Sequence, residues 1–257
     1  PNFVQYIWLV VLPVSAMKNQ IEPLHVKSLK DACVARLEEL ILSGELRIGE
    51  HLPAERDLAM RLGVSRPVLH EALVDLASKG LVSIQPRRGV VVNDYRESGS
   101  FAILSSLLAY HNGALAPEMQ SSLLAVRILI ERETARLAAA NASPAQIEEL
   151  RSILAEEKAA DQPEAARLTE MDYAFHLKVA LASGNLVYPL ILNSFRNIYL
   201  HFTSAFFQKK AGTTVVREVI AYHEKLLEAI VGRKADEAAA IMEEMLVRGE
   251  RQLLENL

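Results

Sequence analysis

The chain has 257 residues, of which 51% are hydrophobic and 23% are charged, and its formal net charge is −4. This composition is typical of one large or two ordinary folded domains and excludes a disordered protein. The single cysteine, Cys33, excludes an internal disulfide framework and favours a reducing compartment, so we expect a cytoplasmic protein whose one thiol is buried and inert.

The first 19 residues are predicted to be an N-terminal extension without ordered structure. The segment from Phe3 to Val14 is apolar but too short to span a bilayer, and no basic stretch precedes it as in a signal peptide. We interpret Met17 as the natural start. An anchor lying in the membrane interface is the alternative, which the lack of a basic polar face disfavours, and we expect no membrane partner.

Three helices and a hairpin are predicted next, over residues 20–94. Apolar residues recur at helical spacing over 27–43. Two short helices, 55–62 and 66–78, flank a turn with Gly63, and Ser65 is placed to cap the second of them. Two helices around such a turn form a helix-turn-helix, and the β-type runs 81–84 and 90–92 form a hairpin beside it, called a wing.

The rest of the chain is predicted to be entirely helical. Residues 95–100 read as a polar linker, and residues 101–257 as an all-α bundle with a core of its own. The overall prediction is a mostly α protein, in which an N-terminal winged helix-turn-helix precedes a C-terminal helical bundle. The helical patterns of the bundle cover 101–111, 117–140, 144–159, 164–183, 186–208, 213–231 and 235–255.

Several segments match one family in the same order. Residues 52–59 read Leu-Pro-Ala-Glu-Arg-Asp-Leu-Ala, and residues 62–67 read Leu-Gly-Val-Ser-Arg-Pro. In the second half, 124–131 contains Arg-x3-Glu, 171–176 ends in Phe-His, and 222–223 is Tyr-His. Over residues 20–257 the chain therefore resembles the GntR family of bacterial transcription regulators, and within it the FadR subfamily.

The resemblance implies a homodimeric, ligand-controlled regulator, expected to be a repressor, that binds a palindromic double-stranded DNA operator. It also implies that the helical part is an FCD domain, which dimerises and binds a small acid effector. An enzyme using a metal-bound water is the rival class, but no general base stands at a defined spacing and the DNA-binding segment would then have no role.

The candidate DNA contacts lie on the recognition helix, on the helix before it and on the wing turn. Arg66 at the start of the recognition helix can reach guanine O6 and N7, and arginine in the wing suits a minor groove. His70 and Arg87 depart from the family, which usually has Arg and often has Gly there. Solvated surface charges are the alternative interpretation of these residues, which are Arg56, Ser65, Arg66, Pro67, His70, Arg87, Arg88 and Gly89.

A second candidate site lies in the helical part. Asp172 and His176 are four residues apart on one predicted helix, so they share a face and suit a divalent metal such as Zn²⁺, with His223 as a third ligand. Metal-binding relatives add a further His in the pattern Ala-x3-Met-x2-His, where this chain has Met245. The same three residues also suit a metal-free effector site or a satisfied polar core.

The effector class is left open. Arg127, with Glu131 one turn later, is a candidate to bind an effector carboxylate, and a surface salt bridge between the two is the alternative. Members that respond to fatty acids bind acyl-CoA without a metal, and this chain shares features with them, so an acyl-CoA effector in a metal-free pocket is the alternative to a small carboxylate. An aromatic stripe on one predicted helix is interpreted as core; it comprises Phe195, Tyr199, Phe202 and Phe206.

Overall fold

The computed structural model describes residues 28–160, 164–210 and 214–254, so the predicted extension at 1–19 lies outside the described residues. The N-terminal part contains three helices followed by a two-stranded antiparallel hairpin, which confirms the predicted order. These elements are α1 (Leu29–Leu42), α2 (Glu55–Leu62), α3 (Arg66–Ser78), β1 (Val82–Gln85) and β2 (Gly89–Val92).

The C-terminal part is helical throughout its described residues, as the sequence predicts. Its helices are α4 (Tyr95–Ser98), α5 (Ile103–Tyr110), α6 (Pro117–Asn141), α7 (Pro144–Ala159), α8 (Ala165–Ala182), α9 (Tyr188–Ser194), α10 (Arg196–Lys210), α11 (Thr214–Val231) and α12 (Ala235–Leu254). None of the helices in the described ranges has the length and apolar character needed to cross a membrane.

Local capping fixes the turn between α2 and α3. Gly63 ends α2 with a φ of 67°, a left-handed conformation that glycine adopts without steric cost. Two residues later the Ser65 hydroxyl accepts a hydrogen bond from the Val68 amide and begins α3. The turn brings α2 against α3, and Leu69 and Leu73 of α3 are fully buried in the core below it.

The wing turn carries an arginine in a conformation that glycine normally occupies. The Arg88 amide donates to the Gln85 carbonyl at 3.0 Å, and Arg87 between them has a φ of 64°. With Pro86 preceding it, Arg87 occupies the position of a type II turn that requires positive φ. A left-handed conformation costs a residue with a Cβ about 1–2 kcal/mol, so the wing contains local backbone strain.

The segment 95–100, predicted as a polar linker, contains a short helix and bonds to the end of α3. Its first residues form α4, and Ser100 then bonds to the end of α3 through its amide to the Lys79 carbonyl and its hydroxyl to the Ser78 carbonyl. A Cβ on Gly80 would lie 2.0 Å from the Ser98 carbonyl oxygen, so only glycine permits this approach. Polar composition does not distinguish backbone bonded to water from backbone bonded to protein, so the sequence pattern gave no sign of these contacts.

Helix α5 packs against the N-terminal core. Ile103, Leu107 and Leu115 are buried in the same apolar cluster as Leu37 and Leu76 of α1 and α3. The Ser106 hydroxyl also donates to the Glu38 carboxylate at 2.6 Å. The apolar core of the winged region therefore extends past residue 100.

The predicted helix 186–208 is two helices. The chain leaves α9 at Phe195, whose amide lies 3.1 Å from the Leu192 carbonyl, so the hydrogen-bond pattern tightens there before α10 begins. The Phe195 ring packs against Phe101 at a centroid distance of 4.5 Å. Helical periodicity continues across such a break, so the sequence pattern did not reveal it.

The core of the bundle is formed by α6, α7, α8, α11 and α12. Alanines on α6 are almost completely buried and let the neighbouring helices approach closely, while larger side chains from α8, α11 and α12 fill the centre. This second apolar cluster includes Ala135, Ala138, Ala139, Phe175, Val179, Leu226, Ile230 and Met242. It surrounds the polar residues of the candidate site.

Candidate functional site

The structure brings Asp172, His176 and His223 together inside the helical bundle. Asp172 and His176 lie one turn apart on α8, and His223 comes from α11; their exposed fractions are 7%, 2% and 0%. One candidate ligand atom of each lies within 4.8 Å of those of the other two. The sequence predicted this grouping from the spacing on α8 and from the resemblance.

Two buried carboxylates orient the imidazoles. Glu157 on α7 accepts a hydrogen bond from His223 Nδ1 at 2.9 Å, and Glu131 on α6 contacts His176 Nδ1. Both carboxylates are almost fully buried. A carboxylate on Nδ1 fixes the tautomer and leaves Nε2 as the acceptor, the usual outer partner of a metal-binding histidine. Sequence reasoning missed Glu157, because it lies 66 residues from His223 in the chain.

His223 Nε2 has no hydrogen-bond partner among the described residues, although it is completely buried. Its nearest carboxylate oxygen, Asp172 Oδ1, is 3.7 Å away, which is too far for a hydrogen bond. Leaving a buried polar atom unpaired is costly, so such an atom in a cluster of ligand-type groups suits a position where a ligand completes its coordination. A fully satisfied polar core does not leave this atom free.

Charge balance inside the site keeps Glu131 ionised. Burial acts to raise the pKa of Glu131, but His176 and Arg127 outweigh it and lower the pKa to about 2. At His223, burial acts to lower the pKa, and the Glu157 carboxylate outweighs it, so the pKa of His223 is raised. Carboxylates without paired cations would not remain charged at this depth.

Arg127 is part of a hydrogen-bond chain that ends at Asp172. Its Nε donates to Glu131 Oε1 at 2.7 Å, and its Nη2 donates to the Tyr199 hydroxyl at 2.8 Å. That hydroxyl donates in turn to Asp172 Oδ2 at 2.6 Å, and the guanidinium lies 4.2 Å from the centre of the Tyr199 ring. The Arg127–Glu131 pair is therefore an internal contact of the site, since the Glu131 side chain is only 2% exposed, and not the surface salt bridge considered above.

Two cavities meet beside Arg127, and Leu124 and Phe202 also line both. One has Asp172, His176 and Met245 in its wall, and its empty space of about 640 Å³ includes volume open to solvent. The other has a mainly apolar wall, and its empty space of about 650 Å³ is likewise partly open to solvent.

The aromatic stripe lines these cavities, in contrast to its interpretation as core. Phe195, Tyr199 and Phe202 line the apolar cavity, and Phe206 lines the polar one. Of the four, only Tyr199 is buried, while the three phenylalanines are half-buried. Helical spacing predicts which residues share a face, but it does not show whether that face meets a packed neighbour or a cavity.

The donor set fits a divalent metal. Two imidazole Nε2 atoms, which lose their protons when they bind a metal, and one carboxylate are ligands that Zn²⁺ and related ions accept, and three protein ligands leave room for an exogenous one. Met245 stands where metal-binding relatives have the further histidine. It is buried and lies in the wall of the cavity that contains Asp172 and His176. Its thioether is a poor ligand for such a metal, so the protein supplies three good donors.

The candidate DNA contacts lie apart from this site, on the exposed face of the winged domain. The Arg56 side chain is 88% exposed, that of Arg66 is 72% exposed and that of His70 is 52% exposed. Ser65 and Pro67 are exposed at the start of α3, and so are the wing-turn residues Arg87, Arg88 and Gly89. The candidate DNA contacts are thus exposed residues at the start of α2, at the start of α3 and on the wing.

Comparison with known proteins identifies the class. Residues 29–92 match the profile of the bacterial regulatory proteins of the gntR family, and residues 122–248 match the FCD domain. The HTH-type transcriptional regulator Mce2R of Mycobacterium tuberculosis is 32% identical over 179 residues, which cover 70% of this chain and 73% of the relative. A fatty acid metabolism regulator protein of Proteus mirabilis is 34% identical over 161 residues, covering 63% of this chain and 65% of the relative.

A solved structure shares the fold. Lar, described as controlling the expression of the Listeria monocytogenes agr system, superimposes with a TM-score of 0.60 at 20% identity, covering 90% of this chain and 99% of Lar.

The chain belongs to the GntR family of bacterial transcription regulators and combines its winged helix-turn-helix with an FCD ligand-binding domain. This is a family of DNA-binding regulators and not of enzymes, which confirms the assignment made from the sequence and removes the rival reading as a metal-dependent enzyme.

Proposed function

We propose that this regulator, of FadR-subfamily type, binds a palindromic operator as a homodimer and is controlled by a small carboxylate effector held at a divalent metal in its FCD domain. Asp172, His176 and His223 hold the metal. The observation that carries the proposal is the buried, unpartnered Nε2 of His223 beside two other ligand-type groups, with carboxylates fixing the far side of both imidazoles.

The side chains around the metal have separate roles in this proposal. Glu131 and Glu157 orient His176 and His223 through their Nδ1 atoms, which leaves Nε2 of each ring for the metal. Arg127 supplies a fixed positive charge beside the polar cavity, where a guanidinium suits a carboxylate. A bound divalent cation would supply a further positive charge and an open coordination position for an effector oxygen.

Metal analysis of purified protein tests whether the FCD domain holds a divalent metal. We expect the protein, stripped with a chelator and reloaded with Zn²⁺, to retain about one equivalent per chain after desalting, as a three-ligand site requires. The variant His223→Ala is the control and is expected to retain none. Wild-type protein without stoichiometric metal after reloading would remove the metal from the proposal.

An acyl-CoA or fatty-acid effector in a metal-free pocket is the second candidate. The observation that favours it is the apolar cavity beside Arg127, which is lined by Ile130, Phe195 and Ile198, side chains that suit contact with an aliphatic chain. The name of the Proteus mirabilis relative points in the same direction. A thermal-shift screen of small carboxylates against acyl-CoAs, with and without Zn²⁺, separates the two. Stabilisation by acyl-CoA alone, independent of metal, would favour the second candidate.

DNA recognition is assigned to the exposed surface of the winged domain. We place the start of α3 in the major groove of each half-site, where Arg66 reads guanine, Ser65, Pro67 and His70 lie beside it, and Arg56 contacts the backbone or a groove edge. The wing residues Arg87, Arg88 and Gly89 enter the adjacent minor groove. The support is that all of these residues are exposed.

Effector control requires the two winged domains to be spaced differently in the effector-bound and effector-free dimers, with different effector affinities in the two states. Contacts from the cavities to the winged domain are available for this coupling. Phe195 of the apolar cavity packs on Phe101, just before α5, and Phe202 packs against the winged domain's core. An effector that moves either ring therefore changes a contact with the winged domain's core or with the chain just before α5.

A further inference from the structure

One carboxylate contacts two side chains of the recognition helix that are candidate DNA contacts. Glu55 is the first residue of α2, and its Oε2 lies 3.4 Å from Arg66 Nε while its Oε1 lies 3.1 Å from His70 Nδ1. The Glu55 side chain is 23% exposed, compared with 72% for Arg66 and 52% for His70. The Glu55 carboxylate is thus more buried than the Arg66 and His70 side chains that it contacts.

We propose that Glu55 is a specificity-determining positioning residue, which orients Arg66 and His70 for base reading and does not itself bind DNA. The inference rests on the proposed placement of α3 in the major groove. The proposal explains why an acidic residue, Glu55, lies on a surface that faces negatively charged phosphates.

The contact with Arg66 selects which edge of the guanidinium is presented. Because Nε is directed at Glu55, the two terminal nitrogens are left to face outward. A pair of parallel donors at that spacing matches O6 and N7 of guanine, whereas a phosphate accepts any orientation of the group. Holding Nε therefore favours base reading over contact with the backbone.

The contact with His70 selects a tautomer. An ionised carboxylate only accepts hydrogen bonds, so Nδ1 of His70 is the donor and, in the neutral ring, Nε2 is an acceptor. Hydrogen bonding to His70 lowers the pKa of Glu55, which keeps the carboxylate ionised. An outward acceptor in the major groove pairs with an exocyclic amine, so the base facing His70 is adenine or cytosine.

Removing the carboxylate should change discrimination and general affinity in opposite directions. The contacts are exposed ion pairs, which contribute little to folding. Near DNA the same negative charge opposes phosphates, so its loss strengthens sequence-independent binding. Its loss also frees the Arg66 edge and the His70 tautomer, so the preference for the correct bases weakens.

The test compares Glu55→Gln, Glu55→Asp and a matched control by fluorescence anisotropy at pH 8. The probes are a duplex selected by the wild-type protein from a random pool, its single-base variants and a random duplex. Glu71→Gln is the control, because Glu71 is an exposed acid next to His70 on α3 and its loss removes the same charge from the same surface. Melting temperatures of all variants establish that each is folded.

We expect Glu55→Gln to bind the random duplex a few-fold more tightly and to lose about five- to tenfold in discrimination at the bases facing Arg66 and His70. Glu55→Asp keeps the charge but shortens the reach, so it should lose discrimination without the gain in random binding. Glu71→Gln should show only the gain. Equal discrimination in Glu55→Gln, Glu55→Asp and Glu71→Gln would overturn the proposal.

Failure of the underlying assignment gives a different result. If α3 does not read bases, Arg66→Ala leaves the selectivity of the protein unchanged, whatever the Glu55 variants do. If α3 reads bases but Glu55 does not position its side chains, Arg66→Ala loses selectivity while Glu55→Gln keeps it.

Discussion

The two candidate sites of this protein are built in opposite ways. The proposed DNA-reading residues are exposed, close in sequence and placed by a capped turn between α2 and α3. The proposed effector residues are buried and come from α6, α7, α8 and α11, so each depends on partners far away in the chain. A substitution on the DNA face is therefore expected to alter binding with little effect on folding, whereas one in the bundle alters both.

The largest expected effect is in the bundle. Arg127→Met removes one of the two cationic partners of the buried Glu131 carboxylate, and loss of one partner of a buried ion pair typically costs about 3–5 kcal/mol in the free energy of unfolding. Urea denaturation followed by circular dichroism measures it. The control is Arg132→Met on the same helix, whose partner Glu243 and own side chain are about half exposed, so its loss is expected to stay below about 1 kcal/mol. Equal losses of unfolding free energy in the two variants would contradict the difference expected between the buried site and an exposed surface.

Metal affinity is expected to depend on a residue that contacts no metal. Glu157→Gln weakens the orientation of His223, and loss of such an outer carboxylate typically costs about 10–100-fold in affinity. Competition with a chromophoric zinc chelator measures the effect. The neighbouring exposed acid gives the control, Glu156→Gln, which should bind zinc as the wild type does. If Glu157→Gln also binds as the wild type does, the assigned role of Glu157 is wrong.

Operator recognition should fail when one exposed side chain is removed. Arg66→Ala loses the proposed contact with guanine, at a cost of about 1–3 kcal/mol in specific binding, with relaxed selectivity at one position. Anisotropy with a duplex selected from a random pool measures it, and Arg36→Ala on the exposed side of α1 is the control. Affinity and selectivity that match the wild type would contradict the assignment of α3.

The wing predicts opposite changes in stability and binding. Arg87→Gly relieves the left-handed strain but adds freedom to the unfolded chain, so the free energy of unfolding should rise by up to about 1 kcal/mol. The same change removes a charge near phosphate, so the slope of log affinity against log salt should fall by about 1. Arg88→Gly, at the next position, should lower both the slope and the stability. A free energy of unfolding lower than that of the wild type in Arg87→Gly would contradict the backbone strain assigned to Arg87.

The smallest expected effect on stability concerns the ion pairs that Asp75 of α3 forms with two lysines. Burial acts to raise the pKa of Asp75, but Lys30 and Lys79, with Nζ atoms 2.6 and 2.8 Å away, outweigh it and lower the pKa. The resulting stability is present above the unfolded value of 3.8 and is lost as the pH falls below it. Asp75→Asn should therefore be less stable than wild type by under about 1 kcal/mol at pH 7, with the difference shrinking in acid. A stability difference between Asp75→Asn and wild type that stays constant from pH 7 into acid would contradict the pairing of Asp75 with the two lysines.

Spacing along single helices predicted half of the candidate effector site. It placed Asp172 and His176 on one face, and the pairing of Arg127 with Glu131 is also a one-turn contact. It did not predict Glu157 as the partner of His223, nor Tyr199 as the bridge between Arg127 and Asp172. Those contacts cross between helices, and helical periodicity carries no information about which helix faces which.

The sequence by itself determined the class of this protein and the helix-turn-helix proposed to meet DNA. Its family motifs, capping residues, left-handed glycine and short apolar repeats each act within a few residues of chain. Only the tertiary structure decided the chemistry of the interior: the carboxylates behind the histidines, the unpaired His223 nitrogen, and the cavities beside Arg127. The physical reason is that burial and charge pairing depend on packing between helices. Glu55 joins the two levels, since a turn visible in the sequence sets it against side chains 11 and 15 residues away, and only the coordinates show that it meets both.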